Sequence, residues 1–250
     1  MRDVCGAGSD SAADTFIVEG HPAVSVLLAA GHFEILDLVI EAGRFPGLLA
    51  RAAELGLKVR EVPGETLRRD PGYRFHRGAF ATVRRPAPRT PGETFWVQAT
   101  RLLVPIDPAD AGNLGTLLRS AVAFGIDGVV MEQGRGVDVY SRKSIRGSAG
   151  AVFRLPIFEV ASLEHTLDRL GDAGFVLLGV SEGAASRPLG EVRAARKTAI
   201  VLGSESAGLP PGIERQCAEL VHLPKREAAD SHNIAVTGAI LMWEWFGRVG

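Results

Sequence analysis

The sequence predicts an α/β protein whose larger part is built on a mostly parallel sheet. Three observations lead there. Short apolar, β-branched runs alternate with stretches of helical spacing along most of the 250 residues. Helical runs stop where a C-terminal glycine is expected, at Gly31 and Gly56. Successive strands separated by helices need crossover connections, which make them parallel.

The elements follow in order. Residues 1–14 are small and polar and are expected to form a disordered tail. "TFIVEG" reads as a strand, "HPAVSVLLAAG" as a helix, "EILDLVIEAG" as a strand and "FPGLLARAAELG" as a helix. "KVREVP" is a strand, "ETLRRD" a helical turn ended by Pro71, and "GAFATVRRP" a strand. This alternation fits a small α/β unit over residues 15–86. "RRPAPRTPGE" then holds three prolines and three arginines and acts as a stiff spacer, so residues 87–95 are read as a linker. The second unit, 96–250, opens with "FWVQATRLLVPID" as a strand, then "NLGTLLRSAVAFG" as a helix, "DGVVMEQG" as a strand and "SRKSIRGSAGAVF" as a basic helix. "LPIFEVA", "FVLLGVS", "TAIVLG" and "ELVHLPK" are further strands; "LEHTLDRLGDAG" and "SHNIAVTGAILMWEWFG" are helices.

Bulk properties exclude several classes. A net charge of −1 carries no global signature of nucleic-acid binding. Its distribution is uneven, however: residues 58–101 hold ten Lys/Arg against four Asp/Glu, either a solvated face or an anion-binding surface. The two cysteines make neither a disulfide framework nor a zinc pattern, and no metal site is expected. The N-terminus lacks the features of a signal peptide, and no apolar run is long enough to span a bilayer, so a cytoplasmic, membrane-free protein is expected.

Ligands of parallel α/β sheets collect beyond the carboxyl ends of strands. Three such ends carry unusual residues. In "DPADAGNLGTLLR", Asn113 and Gly115 lie near a helix start, where free N–H groups favour an anion, and Arg119 is six residues on; a helix cap with a surface arginine explains the same residues. In "LGSESAGLP", Gly203 and Gly208 bracket Glu205, which suits close backbone approach to a ligand. In "LPKREAADSHNIAV", Ser231 and Asn233 open the last helix and suit N-capping equally well.

In this order and spacing the three segments resemble the SpoU/TrmH family of RNA ribose 2′-O-methyltransferases. The resemblance extends through "SRKSIRGSAGAVFRLP", and over 15–86 to the family's ribosomal-protein-like α/β substrate-binding domain. It implies a C-terminal trefoil knot with helices on both faces of the sheet, a fold that no periodicity argument would produce. It further implies S-adenosylmethionine as methyl donor, S-adenosylhomocysteine as product, a homodimer with active sites at the subunit interface, and an RNA substrate, ribosomal RNA ahead of transfer RNA. The apolar ending "AILMWEWFG" would suit a partner subunit or an ordinary core.

Carried over residue by residue, Asn113, Arg119, Glu205, Ser231 and Asn233 form the catalytic set. Val180, Gly203, Leu223, Ser231, His232 and Asn233 hold the cofactor, and Arg74, Arg77, Arg84, Arg85, Arg142, Lys143 and Arg146 contact RNA. Family proposals often make the arginine a base. A guanidinium with a pKa above ~12 is better suited to clamp phosphate and stabilise a developing alkoxide. His232 departs from the usual leucine, and "KREAAD" is more charged than the usual loop. Against the reading as an rRNA 2′-O-methyltransferase stand a tRNA 2′-O-methyltransferase, a catalytically inactive knotted RNA-binding module and a base-nitrogen methyltransferase. No Gly-x-Gly-x-x-Gly follows a strand, which disfavours a dehydrogenase.

Overall fold

Two sheets organise the chain. The structure is a computed structural model that describes residues 14–69, 77–204, 207–225 and 232–247. The smaller sheet is formed by β1 (Thr15–Glu19), β2 (Ile35–Glu41), β3 (Val59–Val62) and β4 (Ala79–Arg84), in the order β1-β4-β2-β3. Strand β4 runs antiparallel to β1 and β2, whereas β3 is parallel to β2. Helices α1 (His21–Ala30), α2 (Pro46–Glu54) and α3 (Gly64–Arg69) connect them. Proline within the first turn of α1 and α2 marks both starts, since its missing N–H would be unpaired there anyway.

After α4 (Glu93–Gln98) come β5 (Arg101–Pro105), α5 (Ala111–Ala123), β6 (Gly128–Glu132), α6 (Arg142–Gly147) and β7 (Ile157–Val160). Then follow α7 (Leu163–Asp172), β8 (Val176–Val180), β9 (Arg187–Pro188) and β10 (Thr198–Leu202). The chain ends in α8 (Pro211–Gln216), β11 (Glu219–His222) and α9 (Ile234–Met242). The seven strands lie in the order β7-β6-β5-β10-β8-β11-β9, parallel at every junction. Side chains alternate between its faces. Leu103, Val129, Met131, Ile200 and Leu202 join the core under α5, α6 and α9; Leu102, Val104, Val130, Ala199 and Val201 join the one under α4, α7 and α8. Burial on both faces is why these strands read as continuous apolar runs.

Several expectations need correction. "FWVQ" is helical, not the start of a strand: Trp96 is buried, and Phe95 packs over Gly128 and against Phe158 at 4.5 Å. Aromatic β-propensity reflects packing more than backbone preference, and here a helix supplies the packing. This helix also begins inside the expected linker. The basic segment is not one helix, since it breaks at Ser148 and passes positive φ at Ala149 and Gly150 before a 3₁₀ turn at Ala151–Phe153. Helix α8 and strand β9 were not foreseen. The expected tail lies outside the described residues except for Asp14, whose carbonyl accepts from the Arg85 N–H at 2.8 Å.

The two sheets share one apolar cluster. Phe16 of β1 stacks on Tyr140 at 4.8 Å and on Phe153 at 6.2 Å between centroids. Around this seam Arg85 makes a two-pronged ion pair with Asp138, at 2.6 and 2.9 Å, and Arg142 pairs with Glu19 at 3.0 Å.

Candidate active site

Strands β10, β8 and β11 are neighbours, and their carboxyl ends open into one cleft of about 400 Å³. Val180 and Leu202 end two of these strands, Gly203 and Leu223 follow two of them, and His232, Ile234 and Thr237 close the far wall from α9. Four of the expected cofactor residues, Val180, Gly203, Leu223 and His232, therefore line one space. Asn233 is exposed and stands next to the wall. Glu205 and Ser231 lie outside the described residues.

Local folding fixes this geometry. A Cβ on Gly203 would come within 2.2 Å of the Gly208 carbonyl carbon and 2.6 Å of the Leu209 nitrogen. The loop doubles back through a Ser204–Gly208 bridge, with Gly208 at φ 66°. Gly203 is thus required by the chain's own hairpin, whereas the sequence suggested close approach of a ligand. Gly115, the fifth residue of α5, is buried against α6, where a Cβ would sit 2.3 Å from the Ser144 carbonyl oxygen, so a helix crossing requires its glycine.

The start of α5 is occupied too. Asp110 caps it, its carboxylate accepting the Asn113 N–H at 2.8 Å and pairing with Lys143. These contacts, the Lys143 hydrogen bond first, hold the Asp110 carboxyl below its usual value. Asn113 sits in the first turn of α5 and Asn233 is the N-cap of α9. The Asn233 Oδ1 accepts from the N–H groups of Ala235 and Val236, at 2.9 and 3.4 Å. An oxygen turned to those donors leaves the amide nitrogen facing outward, and it donates to Asn113 Oδ1 at 2.9 Å. Capping, which looked like an alternative to a site role in the sequence, leaves room for one: the same amide caps α9 through its oxygen and reaches Asn113 through its nitrogen. Arg119 does not join the cleft; it is exposed on α5 and makes no ion pair or hydrogen bond among the described residues.

The arginines expected to bind RNA separate into groups. Arg77, Arg142 and Arg146 line one pocket at the seam between the sheets, beside Glu19. Lys143 stands at Asp110, next to Asn113. Arg84 is paired with Glu34 and Arg85 with Asp138, which makes the latter a seam contact. Arg74 lies outside the described residues. The sequence reading missed Ser181, Glu214 and His222, which also line the cleft. Glu214 accepts from the Ser181 hydroxyl at 2.8 Å, and His222 Nδ1 meets the Ser186 hydroxyl at 2.9 Å. Glu214 lies on the unforeseen α8, whose signal was the Pro210–Pro211 pair. Cys217 is a half-buried thiol pushed up to about 12 by desolvation and the Glu214 charge, which keeps it protonated.

Residues 101–243 match the model of the SpoU rRNA Methylase family, the span that carries both asparagines and the cleft. The chain belongs to the SpoU methylase family. An uncharacterized tRNA/rRNA methyltransferase of Mycobacterium avium is 32% identical over 200 residues, covering 78% of this chain and 64% of that protein. The chain thus spans just under two thirds of that relative's length. Among solved structures, an RNA 2′-O ribose methyltransferase superposes with a TM-score of 0.73 at 28% identity, over 92% of this chain and 87% of the other. The SpoU methyltransferase AviRb from Streptomyces viridochromogenes, solved with AdoMet, gives 0.77 at 23% identity over 93% and 89%. At that identity the second likeness speaks for the fold alone.

Proposed function

We propose that this SpoU-family chain transfers a methyl group from S-adenosylmethionine to a ribose 2′-hydroxyl of RNA, ribosomal RNA ahead of transfer RNA. The observation that carries the reading is the Asn113–Asn233 hydrogen bond, which joins two segments 120 residues apart at the mouth of the cleft. The cleft suits the cofactor. Its volume falls within the usual range for small-ligand sites, it is walled by apolar and polar groups together, and His232, whose buried Nε2 has no partner among the described residues, is part of its lining.

The cofactor, when bound, supplies an already electrophilic methyl group. The chain must then bind, orient and exclude water. Val180, Gly203 and Leu223 line the space through short, apolar or backbone surfaces. Asn113 and Asn233, each held by a helix-cap contact, offer fixed amide dipoles to the ribose. Arg119 is the phosphate clamp and stabiliser of the developing alkoxide. Glu205 and Ser231 complete the catalytic set proposed from the sequence.

The finer architecture belongs to the same proposal. Residues 15–86 bind RNA, residues 96–250 form a trefoil-knotted catalytic unit, and the protein works as a cytoplasmic homodimer. Val236, Ile240 and Trp243 make an exposed apolar patch on α9 beside Thr116 and Ser120 of α5, which supports pairing with a second copy there. Arg119, adjacent to Ser120, would then enter the subunit interface.

Tritium transfer from methyl-labelled S-adenosylmethionine to unmodified ribosomal and transfer RNA tests the reading, with Arg119→Ala as control. Labelled product should resist alkaline cleavage next to the modified ribose. Label on a base, or label unaffected by Arg119→Ala, would overturn it. Binding of RNA and cofactor with no transfer to any RNA would favour an inactive binding module.

A further inference from the structure

A second cavity, of about 210 Å³, lies at the seam between the sheets, away from the cleft. Its wall combines three aromatic rings, His32, Phe33 and Tyr140, with Arg89, Arg154 and Glu159. We propose that this cavity is a recognition subsite for one unstacked guanine base of the RNA substrate, an inference that rests on the RNA reading above.

Size comes first. The cavity is smaller than the ~300 Å³ and upward of pockets for drug-sized ligands, so it suits one ring system. The aromatic wall is held in place. Phe33 is braced edge-on against Phe16, Tyr140 and Phe153, and the His32 ring lies 4.4 Å from it with Nδ1 bonded to the Ala30 carbonyl at 3.0 Å. Such rings receive splayed-out bases, and RNA is read in sequence-specific fashion largely at unstacked bases.

The polar groups select among bases. Glu159 has no hydrogen bond or ion pair among the described residues, and burial first, with the Asp138 charge and against the lowering charge of Arg85, raises its carboxyl above the ordinary value. It is a desolvated acceptor awaiting donors. Burial and the Glu159 charge likewise push the Tyr140 phenol up to about 12, so it keeps its proton as a donor. Arg89 and Arg154 are exposed cations with no carboxylate partner among the described residues. Guanine presents N1–H and N2–H side by side for a carboxylate, and O6 and N7 for an arginine. Adenine and uracil lack that adjacent donor pair, and cytosine offers only its N4 amine.

The location fits a bound strand. The cavity lies at the C-terminal end of α1, and the Arg77, Arg142 and Arg146 pocket lies at its N-terminal end. Ten helical residues separate them by about 15 Å, a span that a few nucleotides cover. Phosphates at one end and a base at the other would set the register of the strand across the seam.

The experiment is a saturation-transfer NMR titration of the full chain with GMP, AMP, CMP and UMP, each with saturating S-adenosylhomocysteine to fill the cleft. GMP should bind about tenfold tighter than the others, the discrimination expected of one good bidentate contact. Glu159→Gln should abolish that preference, and Arg154→Ala should weaken GMP about tenfold, while both leave S-adenosylhomocysteine affinity unchanged. Equal binding of the four nucleotides, or a GMP preference that survives Glu159→Gln, overturns the subsite. If GMP selectivity holds and no RNA is methylated, the subsite stands and the methyltransferase reading fails. Methyl transfer without GMP selectivity separates them the other way.

Discussion

Replacing Gly115 by alanine sets two effects against each other. Helix propensity favours alanine over glycine by about 1 kcal/mol inside a helix such as α5. Packing opposes it. The new Cβ would lie 2.3 Å from the Ser144 carbonyl oxygen, 2.8 Å from the Ser148 nitrogen and 3.0 Å from the Gly147 Cα, all backbone atoms of α6 or its end. Ordinary contact needs about 1 Å more at the closest atom. Helix α6 cannot yield freely, because Arg142 is tied to Glu19, Lys143 to Asp110, and Ile145 lies in the core. Overpacking of this kind costs roughly 1–3 kcal/mol. With the propensity gain subtracted, Gly115→Ala should lose up to about 2 kcal/mol, or up to roughly 8 °C in melting temperature for a chain of this size. Gly171 on α7, with nothing within 4 Å of its Cβ position, is the control, and its alanine variant should melt at or above the wild type. A shift of α5 by about 1 Å would also misplace Asn113 and lower methyl transfer by up to ~100-fold. Thermal unfolding of both variants decides the matter. If Gly115→Ala melts as high as Gly171→Ala, the α5–α6 crossing does not set the position of Asn113.

Three further outcomes follow from the same geometry. Asn233→Ala should cost about 1–2 kcal/mol by removing the α9 cap, whereas Asn233→Asp should keep the cap and the melting temperature but lose methyl transfer, because only the amide donates to Asn113. His232→Leu should weaken S-adenosylmethionine about 2–10-fold in calorimetry, the worth of one hydrogen bond to an Nε2 that has no partner among the described residues; equal or tighter binding would remove that nitrogen from the cofactor site. Burial raises the Asp138 carboxyl, but the hydrogen bonds from Arg85 and the Tyr140 N–H and the Arg85 charge outweigh it, leaving the carboxyl below its usual 3.8. The sign is that of a depressed acid: the stabilisation is complete above that ordinary value and disappears as pH falls through the folded one. The gap in melting temperature between wild type and Asp138→Asn should therefore be constant from about pH 7 to 5 and close below about pH 4; a gap independent of pH would assign the effect to packing.

The strands and most long helices were legible because each carries its own period. Thr198–Leu202 is apolar throughout since both faces of the sheet are covered, and Leu163–Asp172 alternates at helical spacing with a Ser162 cap. What stayed hidden was set by long-range packing. "FWVQ" became a helix because Phe95 had Gly128 and Phe158 to cover. The six-residue α8 is too short to show a period, and with it Glu214 went unnoticed. At the candidate site, Asn113 and Asn233 were found as members of a family pattern. Their contact, and the identity of the helix cap with the site, required coordinates. Gly203 was noticed for close approach, and the backbone that approaches it is the chain's own at Gly208 and Leu209; Gly115 was noticed for its place near a helix start, whereas its tight contact is with α6.

Both glycines show how the cleft is made rigid. Side chains that touch a substrate hold their geometry only as well as the backbone beneath them, and here that backbone is fixed by contacts with no space for a methyl group. Gly115 locks α5 to α6, and Gly238 of α9 meets Leu117 of α5 with the same closeness, 2.3 Å from its Cβ position to Cδ1. Helix α5 is therefore clamped between α6 and α9, and the two asparagines sit at the ends of clamped helices. The seam cluster of Phe16, Tyr140 and Phe153 then ties α6 and the turn after it to β1. A strand of RNA seated on the small sheet would thus be held at a constant distance from the cleft, since packed core contacts, helix caps and the seam ion pairs Arg85–Asp138 and Arg142–Glu19 link the two. Weakening the seam should consequently raise the RNA concentration needed for half-maximal transfer and lower the transfer rate together, while cofactor affinity, which the proposed reading assigns to the cleft at β8, β10 and β11, should stay as it was.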